Sequence, residues 1–148
     1  MNVRAFSFEV KEFENKAAYE KALLQLLQEQ QIDLIVLAGY MRIIGQTLLS
    51  YYSNRILNIH PSLLPSFPGL HGIKDAYEYG VKVTGVTVHL VDDGVDTGPI
   101  IAQEPVMILP EDTLESLEEK IHQTEHRLYP KVLRDVLLQS EKNKSKGE

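Results

Sequence analysis

The feature that most restricts the fold is a continuous apolar run of strand length, Leu34-Ile-Val-Leu37, which follows a helical pattern. Asn15 offers a helix cap, and apolar residues recur at helical spacing through 16–31. A short apolar run without alternation is typical of a parallel strand that is covered on both faces. The chain is therefore expected to build a sheet flanked by helices.

The rest of the chain continues this alternation of strands and helices. Four further segments have strand patterns: 3–8, 55–60, 84–91 and 100–107. Three more have helical patterns: 44–52, 73–79, and a long segment from a capping box at 112–115 to about Leu138. The last strand is expected at a sheet edge, because Pro105 cannot donate a ladder hydrogen bond. Alternating strands and helices favour right-handed βαβ units, so the expected fold class is α/β.

Length and composition indicate one globular domain, expected over residues 1–140, with a polar tail over 141–148. The 148 residues are 43% hydrophobic and 24% charged, and none is cysteine, which excludes a disulfide framework and thiolate chemistry. A net charge of −6 argues against a nucleic-acid partner. No apolar run approaches the roughly 20 residues that cross a bilayer, so no membrane partner is expected, and the expected location is the cytoplasm.

Asn58 and His60 stand two apart in a predicted strand, so both side chains point to the same face near its carboxyl end. Open α/β sheets place their ligands at that end. An amide can hold a developing oxyanion while an imidazole moves a proton near neutral pH, which is the pair that acyl chemistry uses. The structural alternative is that Asn58 caps a turn and His60 satisfies a loop carbonyl.

An acidic turn over 92–99 connects two of the predicted strands. Its carboxylates, Asp92, Asp93 and Asp96, do not have the spacing of an EF-hand loop. Most such turns are solvated, but one aspartate folded back toward His60 would orient the ring and stabilise its charged form. Asp96 is the candidate, because Gly98-Pro99 restricts the exit of the turn.

The segment His122-Gln-Thr-Glu125-His126 matches the inverted zincin pattern H-x-x-E-H. Such a short pattern arises easily in a Glu-rich helix. Glu125 also shares a helical face with Ile121 and Leu128, and a carboxylate on an apolar stripe must find a donor or bind something. A zinc hydrolase stays as an alternative, and the preferred expectation is a site without a metal.

Several motifs resemble the folate-dependent formyltransferases, over about residues 33–130 and in the order of that family. The matching segments are 36–44 (VLAGYMRII), 57–65 (LNIHPSLLP), 68–71 (PGLH), 85–89 (GVTVH), 96–99 (DTGP) and 125–130 (EHRLYP). The run NIHPSLLP is highly specific. The runs YMRI and EHRLYP resemble the branch of the family that formylates glycinamide ribonucleotide rather than methionyl-tRNA.

The resemblance implies a formyltransferase-type, Rossmann-like open sheet, mostly parallel with an antiparallel C-terminal part. It implies direct attack by the amine of glycinamide ribonucleotide on the formyl carbon of 10-formyltetrahydrofolate, a step in purine synthesis, without a metal. Asn58 would hold the oxyanion, His60 would transfer the proton and Asp96 would position His60. The implied folate-pocket residues are Met41, Arg42, Ile43, Ile44, Val91, Asp92, Asp93, Gly94 and Val95. The implied ribonucleotide-binding residues are Glu125 and Pro61.

One departure from the family concerns the phosphate of the ribonucleotide. Family members open with a strand, a Gly-Ser-Asn type loop and a helix, and amides of that loop hold the phosphate. The first glycine here is Gly39, so the N-terminal strands are expected to be missing. The alternative function is then a non-catalytic or impaired folate-binding fragment. A sheet without those strands would expose an edge, so a homo-oligomer is a further hypothesis.

Overall fold

The computed structural model describes residues 3–40 and 42–147. In this part of the chain the helices are α1 (Lys16–Glu29), α2 (Gln46–Tyr51), α3 (Gly72–Tyr79) and α4 (Leu114–Lys146). The strands are β1 (Ile35–Val36), β2 (Ile56–His60), β3 (Val83–Leu90) and β4 (Ile100–Met107). A short 3-10 helix, Val10–Glu12, precedes α1. None of the helices described is both long and apolar enough to cross a membrane.

The four strands form one open sheet in the order β1-β2-β3-β4. β1 and β2 pair in parallel, whereas β2 with β3 and β3 with β4 pair antiparallel. The predicted open α/β sheet with an antiparallel C-terminal part is confirmed, as is the position of β4 at an edge. The sheet was expected to be mostly parallel, but one strand pair is parallel and two are antiparallel, because the chain reverses direction in both connections between strands that follow β2.

Two expectations for the N-terminal half are wrong. Residues 3–8, expected as a strand, form no strand, and Val3 and Phe6 are exposed. Alternation of side chains does not make a strand unless a neighbouring strand supplies hydrogen-bond partners. The run Leu34–Leu37 was expected to form a strand covered on both faces of the sheet. Only two of its residues form β1, and one of them, Val36, is exposed.

The helix α4 packs against one face of the sheet and contributes to two of the three apolar core clusters. Val86 and Val106 of the sheet contact Leu117 and Ile121 of α4 in one apolar cluster. A second cluster joins Leu57, Val88 and Val132. Because the two valines Val86 and Val88 alternate along β3, the residues between them point to the opposite face, where polar side chains are placed.

The beginning and end of α4 both differ from the prediction. Its capping box joins Thr113 and Ser116 rather than residues 112 and 115. The helix also continues past Leu138 to Lys146, so residues 141–146 of the expected polar tail are helical. The sequence from 131 to 146 contains neither Gly nor Pro, and its Glu, Gln and Lys residues are good helix formers.

Candidate active site

The centre of the site is the end of β2, which carries Asn58 and His60 on one face of the sheet. The antiparallel register of β2 and β3 places Asn58 opposite His89 and His60 opposite Thr87. Residues that lie opposite each other in such a pair share a face. One face of the sheet therefore holds an amide and two imidazoles, and the core valines of β3 lie on the other face.

The proline-rich segment after β2 folds back over the His60 ring. The Nε2 atom of His60 lies 2.8 Å from the carbonyl oxygen of Phe67. A carbonyl oxygen only accepts hydrogen bonds, so Nε2 carries the hydrogen in this contact. A Cβ on Gly72 would lie 3.1 Å from Nε2. The glycine at the start of α3 thus lets the backbone approach the ring.

The Asp96 carboxylate lies between the two histidine rings. One oxygen, Oδ2, is 3.4 Å from His60 Nδ1, and the other, Oδ1, is 3.6 Å from His89 Nε2. The amide of Gly69 donates to Oδ2 at 2.9 Å. Both ring nitrogens of His60 therefore face hydrogen-bond acceptors, and both can donate only when the ring is protonated.

His89 is a site residue to which the sequence assigned no role. Only 2% of the residue is exposed. Its Nδ1 lies 3.0 Å from the Leu90 carbonyl oxygen, and its buried Nε2 makes no hydrogen bond to the residues that the structure describes. The alternation of β3 predicts which face His89 occupies. Its position opposite Asn58 depends on the strand register, for which the sequence holds no local signal.

These groups line a cavity of about 500 Å³. The residues expected in the site that line it are Asn58, His60, Asp96, Arg42, Ile43, Ile44, Val91, Asp92, Gly94, Val95, Glu125 and Pro61. Asp93 instead lines a separate groove beside α2, and Met41 lies outside the described residues. Lining residues that sequence reasoning missed include Tyr40, Gly69, Leu70, His89, Thr97 and Gly98.

A buried carboxylate supports one wall of the cavity from outside. Glu20 of α1 is 2% exposed, and its Oε2 accepts a hydrogen bond from the Gly45 amide at 2.8 Å. A Cβ on Gly45 would lie 2.8 Å from both carboxylate oxygens. The close approach of Glu20 to this glycine fixes the end of the 42–45 segment against α1.

Glu125 reaches the cavity from α4. Burial raises the pKa of its carboxyl, while His122, His126 and His60 act in the opposite direction. His122 and His126 themselves are exposed. Across residues 3–40 and 42–147, no group of three or more His, Asp or Glu side chains is arranged to hold a metal ion. Glu125 thus presents a partly buried carboxylate to the cavity.

The chain belongs to the formyl transferase family, because the sequence model of that family matches residues 2–133.

Within that family the chain is similar to phosphoribosylglycinamide formyltransferases. It is 53% identical over 136 residues to the protein of that name from Bacillus subtilis (strain 168), covering 92% of this chain and 70% of that protein. It is 50% identical over 127 residues to the one from Mycobacterium tuberculosis (strain CDC 1551 / Oshkosh), covering 86% of this chain and 59% of that protein. The crystal structure of glycinamide ribonucleotide transformylase 1 from Geobacillus kaustophilus superposes with a TM-score of 0.89 at 59% identity, covering 91% of this chain and 72% of that one.

Proposed function

We propose that this chain transfers the formyl group of 10-formyltetrahydrofolate to the amine of glycinamide ribonucleotide. The observation that carries the proposal is the position of Asn58, His60 and Asp96 on one wall of a single cavity. The names of the relatives point to the same substrate, because they are phosphoribosylglycinamide formyltransferases.

Asn58 is proposed as the donor that holds the oxyanion. Attack of the amine on the formyl carbon forms a C–N bond and moves an electron pair onto the formyl oxygen. No side-chain hydrogen bond among the described residues uses the Asn58 amide, so its N–H groups remain available to that oxygen. One preorganised donor of this kind stabilises a transition state by about 3 kcal/mol. The bond from the formyl carbon to N10 of the folate then breaks as the oxyanion collapses.

His60 is proposed to accept the proton that the attacking amine loses and to pass it to N10 of the departing tetrahydrofolate. Its Nε2 donates to the Phe67 carbonyl at 2.8 Å, whereas the contact of Nδ1 with Asp96 is longer than an ordinary hydrogen bond, so Nδ1 is proposed as the nitrogen that exchanges the proton. Asp96, 3.4 Å from Nδ1, compensates the positive charge that the ring takes up during this exchange. Asp96 thereby also fixes the orientation of the ring.

The two substrates are assigned to different walls of the cavity. The segments 42–44 and 91–95 combine apolar side chains with backbone groups, which suits a flat, hydrogen-bonding pterin ring. Glu125 is assigned to the ribose hydroxyls of the ribonucleotide. Burial raises the pKa of this carboxyl, so hydrogen bonds from two hydroxyl groups would stabilise its ionised form.

The proposal is tested by incubating the purified 148-residue chain with both substrates and detecting formylated ribonucleotide by mass spectrometry. We expect transfer by the wild type and a loss of at least about a hundredfold in Asn58→Ala, because one oxyanion donor typically contributes a factor of that size. His60→Ala should lose a similar factor, because the proton path is removed. A His60→Ala variant that transfers the formyl group at the wild-type rate would contradict the proposed mechanism.

Calorimetry separates this function from the alternative of a folate-binding fragment. Each substrate is titrated alone, using a non-transferable folate analogue, and the transfer assay is read beside it. Binding of both ligands together with transfer supports the proposal. Binding of the folate analogue without ribonucleotide binding or transfer would replace it with the alternative function.

A further inference from the structure

We infer that Thr97 is a positioning residue. Its hydroxyl donates a hydrogen bond to Asp92 and thereby stabilises the conformation of the 92–98 turn in which Asp96 lies beside His60 and His89. The inference deepens the proposed formyl transfer and rests on it for its catalytic consequence. We call the Asp92–Thr97 contact the clasp.

The clasp is built on a single carboxylate oxygen. The Thr97 hydroxyl donates to Asp92 Oδ1 at 2.7 Å, and the amide of Gly94 donates to the same oxygen at 2.9 Å. These two donors hold the pKa of the Asp92 carboxyl below its usual value. The contacts cross the turn from its first residue to its sixth, so they close the loop that contains Asp96.

Asp96 needs such a restraint because its backbone is in the left-handed region, with a φ of 54°. A residue other than glycine pays of order 1 kcal/mol or more to remain there. Gly69 restrains the Asp96 side chain through its amide, but the backbone of the turn has to be held separately. Thr97 is the next residue in the chain, so the clasp acts directly on the conformation of Asp96.

The turn is also packed too closely to allow small adjustments. A Cβ on Gly94 would lie 2.1 Å from Thr97 Oγ1, and a Cβ on Gly98 would lie 1.7 Å from the Leu90 carbonyl oxygen. Gly94 lets the backbone of the turn pass close to the Thr97 side chain, and Gly98 lets it pass against the end of β3. With Asp96 already 3.4 and 3.6 Å from the two rings, a displacement of about 1 Å would separate it from them, and such misplacement can cost about a hundredfold in rate.

The test compares two substitutions at position 97. Thr97→Val keeps the shape but removes the hydroxyl, whereas Thr97→Ser keeps the hydroxyl. Thr84→Val serves as a control that removes a buried hydroxyl from a residue that does not line the cavity. Two measurements are made on each chain: kcat for formyl transfer, and the ring resonances of His60 and His89 by NMR.

We expect Thr97→Val to lower kcat by about tenfold or more and to shift the ring resonances of both histidines. Thr97→Ser should restore kcat to within about twofold and return the resonances, and Thr84→Val should change neither. Asp92→Ala opens the clasp from its other end, and Asp92→Asn removes the same charge but keeps an acceptor at Oδ1. The His60 shift of Thr97→Val should be reproduced by the alanine variant and not by the asparagine variant, which provides a second test if the valine variant does not fold. His89 is left out of this comparison, because it interacts with the Asp92 charge that both variants remove.

Ring resonances that stay unchanged in Thr97→Val or Asp92→Ala would overturn the inference, since Asp96 would then be held without the clasp. Equal effects of Val and Ser at position 97 would also overturn it, because the hydroxyl would not be the active group. A wild-type chain without formyl transfer contradicts the proposed function alone, because the resonances still report whether the clasp positions Asp96.

Discussion

At the scale of single residues, Asp96 joins three segments that are distant in the chain. Its carboxylate accepts from the Gly69 amide and faces His60 on β2 and His89 on β3. Only 11% of the side chain is exposed. Because this short, largely buried side chain contacts three segments, few other positions of the carboxylate would satisfy all of its contacts.

A second residue, Thr84, lowers the stability of the fold at a position outside the site. Thr84 is 2% exposed, and its hydroxyl has no hydrogen-bond partner among the residues that the structure describes. Valine has nearly the same shape and no polar atom to desolvate. We expect Thr84→Val to raise the free energy of unfolding by about 1 kcal/mol, measured by urea denaturation.

Thr87 on the same strand is the matched control for this prediction. Its hydroxyl donates to the Ser62 carbonyl at 2.7 Å and accepts from the Leu64 amide at 3.1 Å. Thr87→Val leaves both groups without a partner, so it should lower the free energy of unfolding by about 1–3 kcal/mol. Similar effects at positions 84 and 87 would show that hydrogen bonding does not decide either result.

At the scale of elements, α4 is tied to the parallel part of the sheet by one hydroxyl. Tyr129 donates to the Leu37 carbonyl at 2.7 Å and lies 3.2 Å from the Leu57 carbonyl, and burial raises its pKa above the usual range. The Leu37 amide in turn donates to the Leu57 carbonyl at 2.8 Å. The two-residue strand β1 thus gains an anchor beyond its own ladder.

We expect Tyr129→Phe to lower the free energy of unfolding by about 1 kcal/mol and to speed hydrogen exchange of the Leu37 amide. Denaturation and exchange detected by NMR measure the two effects. Tyr79→Phe is the control, since Tyr79 is 79% exposed and its loss should change neither quantity. Unchanged exchange at Leu37 in Tyr129→Phe would contradict the proposed anchoring of β1.

The elements also differ in how well local sequence predicted them. Strands β2, β3 and β4 lie within about one residue of their predicted bounds, because each finds a neighbouring strand as its partner. The segment 3–8 has an alternating pattern but pairs with no strand. The position of Asn58 and His60 on one face followed from the strand period alone, whereas the contribution of His89 required the register of β2 against β3.

At the scale of the whole molecule, one acidic residue links stability to pH. Asp112, in the connection from β4 to α4, forms a short contact with Lys120 and accepts from the Leu109 amide and the Ser116 hydroxyl. Lys120, Leu109 and Ser116 lower the pKa of the Asp112 carboxyl from 3.8 to about 2. Its stabilising effect is therefore complete above about pH 4 and is lost as the pH falls toward 2.

We expect Asp112→Asn to be less stable than the wild type near pH 6 and to approach it in stability near pH 2. The reason is that the protonated wild-type residue no longer attracts Lys120. Urea denaturation between pH 2 and 6 measures the difference, with Asp135→Asn on the exposed side of α4 as the control. A difference between wild type and Asp112→Asn that stays constant with pH would contradict this account.

By itself, the sequence determined the succession of helices and strands from residue 16 onward, the edge position of β4 and the common face of Asn58 and His60. These properties depend on residues that are neighbours in the chain, through side-chain period, capping and the missing amide of proline. The tertiary structure alone decided that His89 lies opposite Asn58, that Asp96 is held at 3.4 Å from His60, and that Thr97 closes the turn around it. These properties depend on strand register and on contacts between distant segments, such as the hydrogen bond from the Gly69 amide to Asp96, 27 positions away. No local sequence pattern encodes such register or contacts.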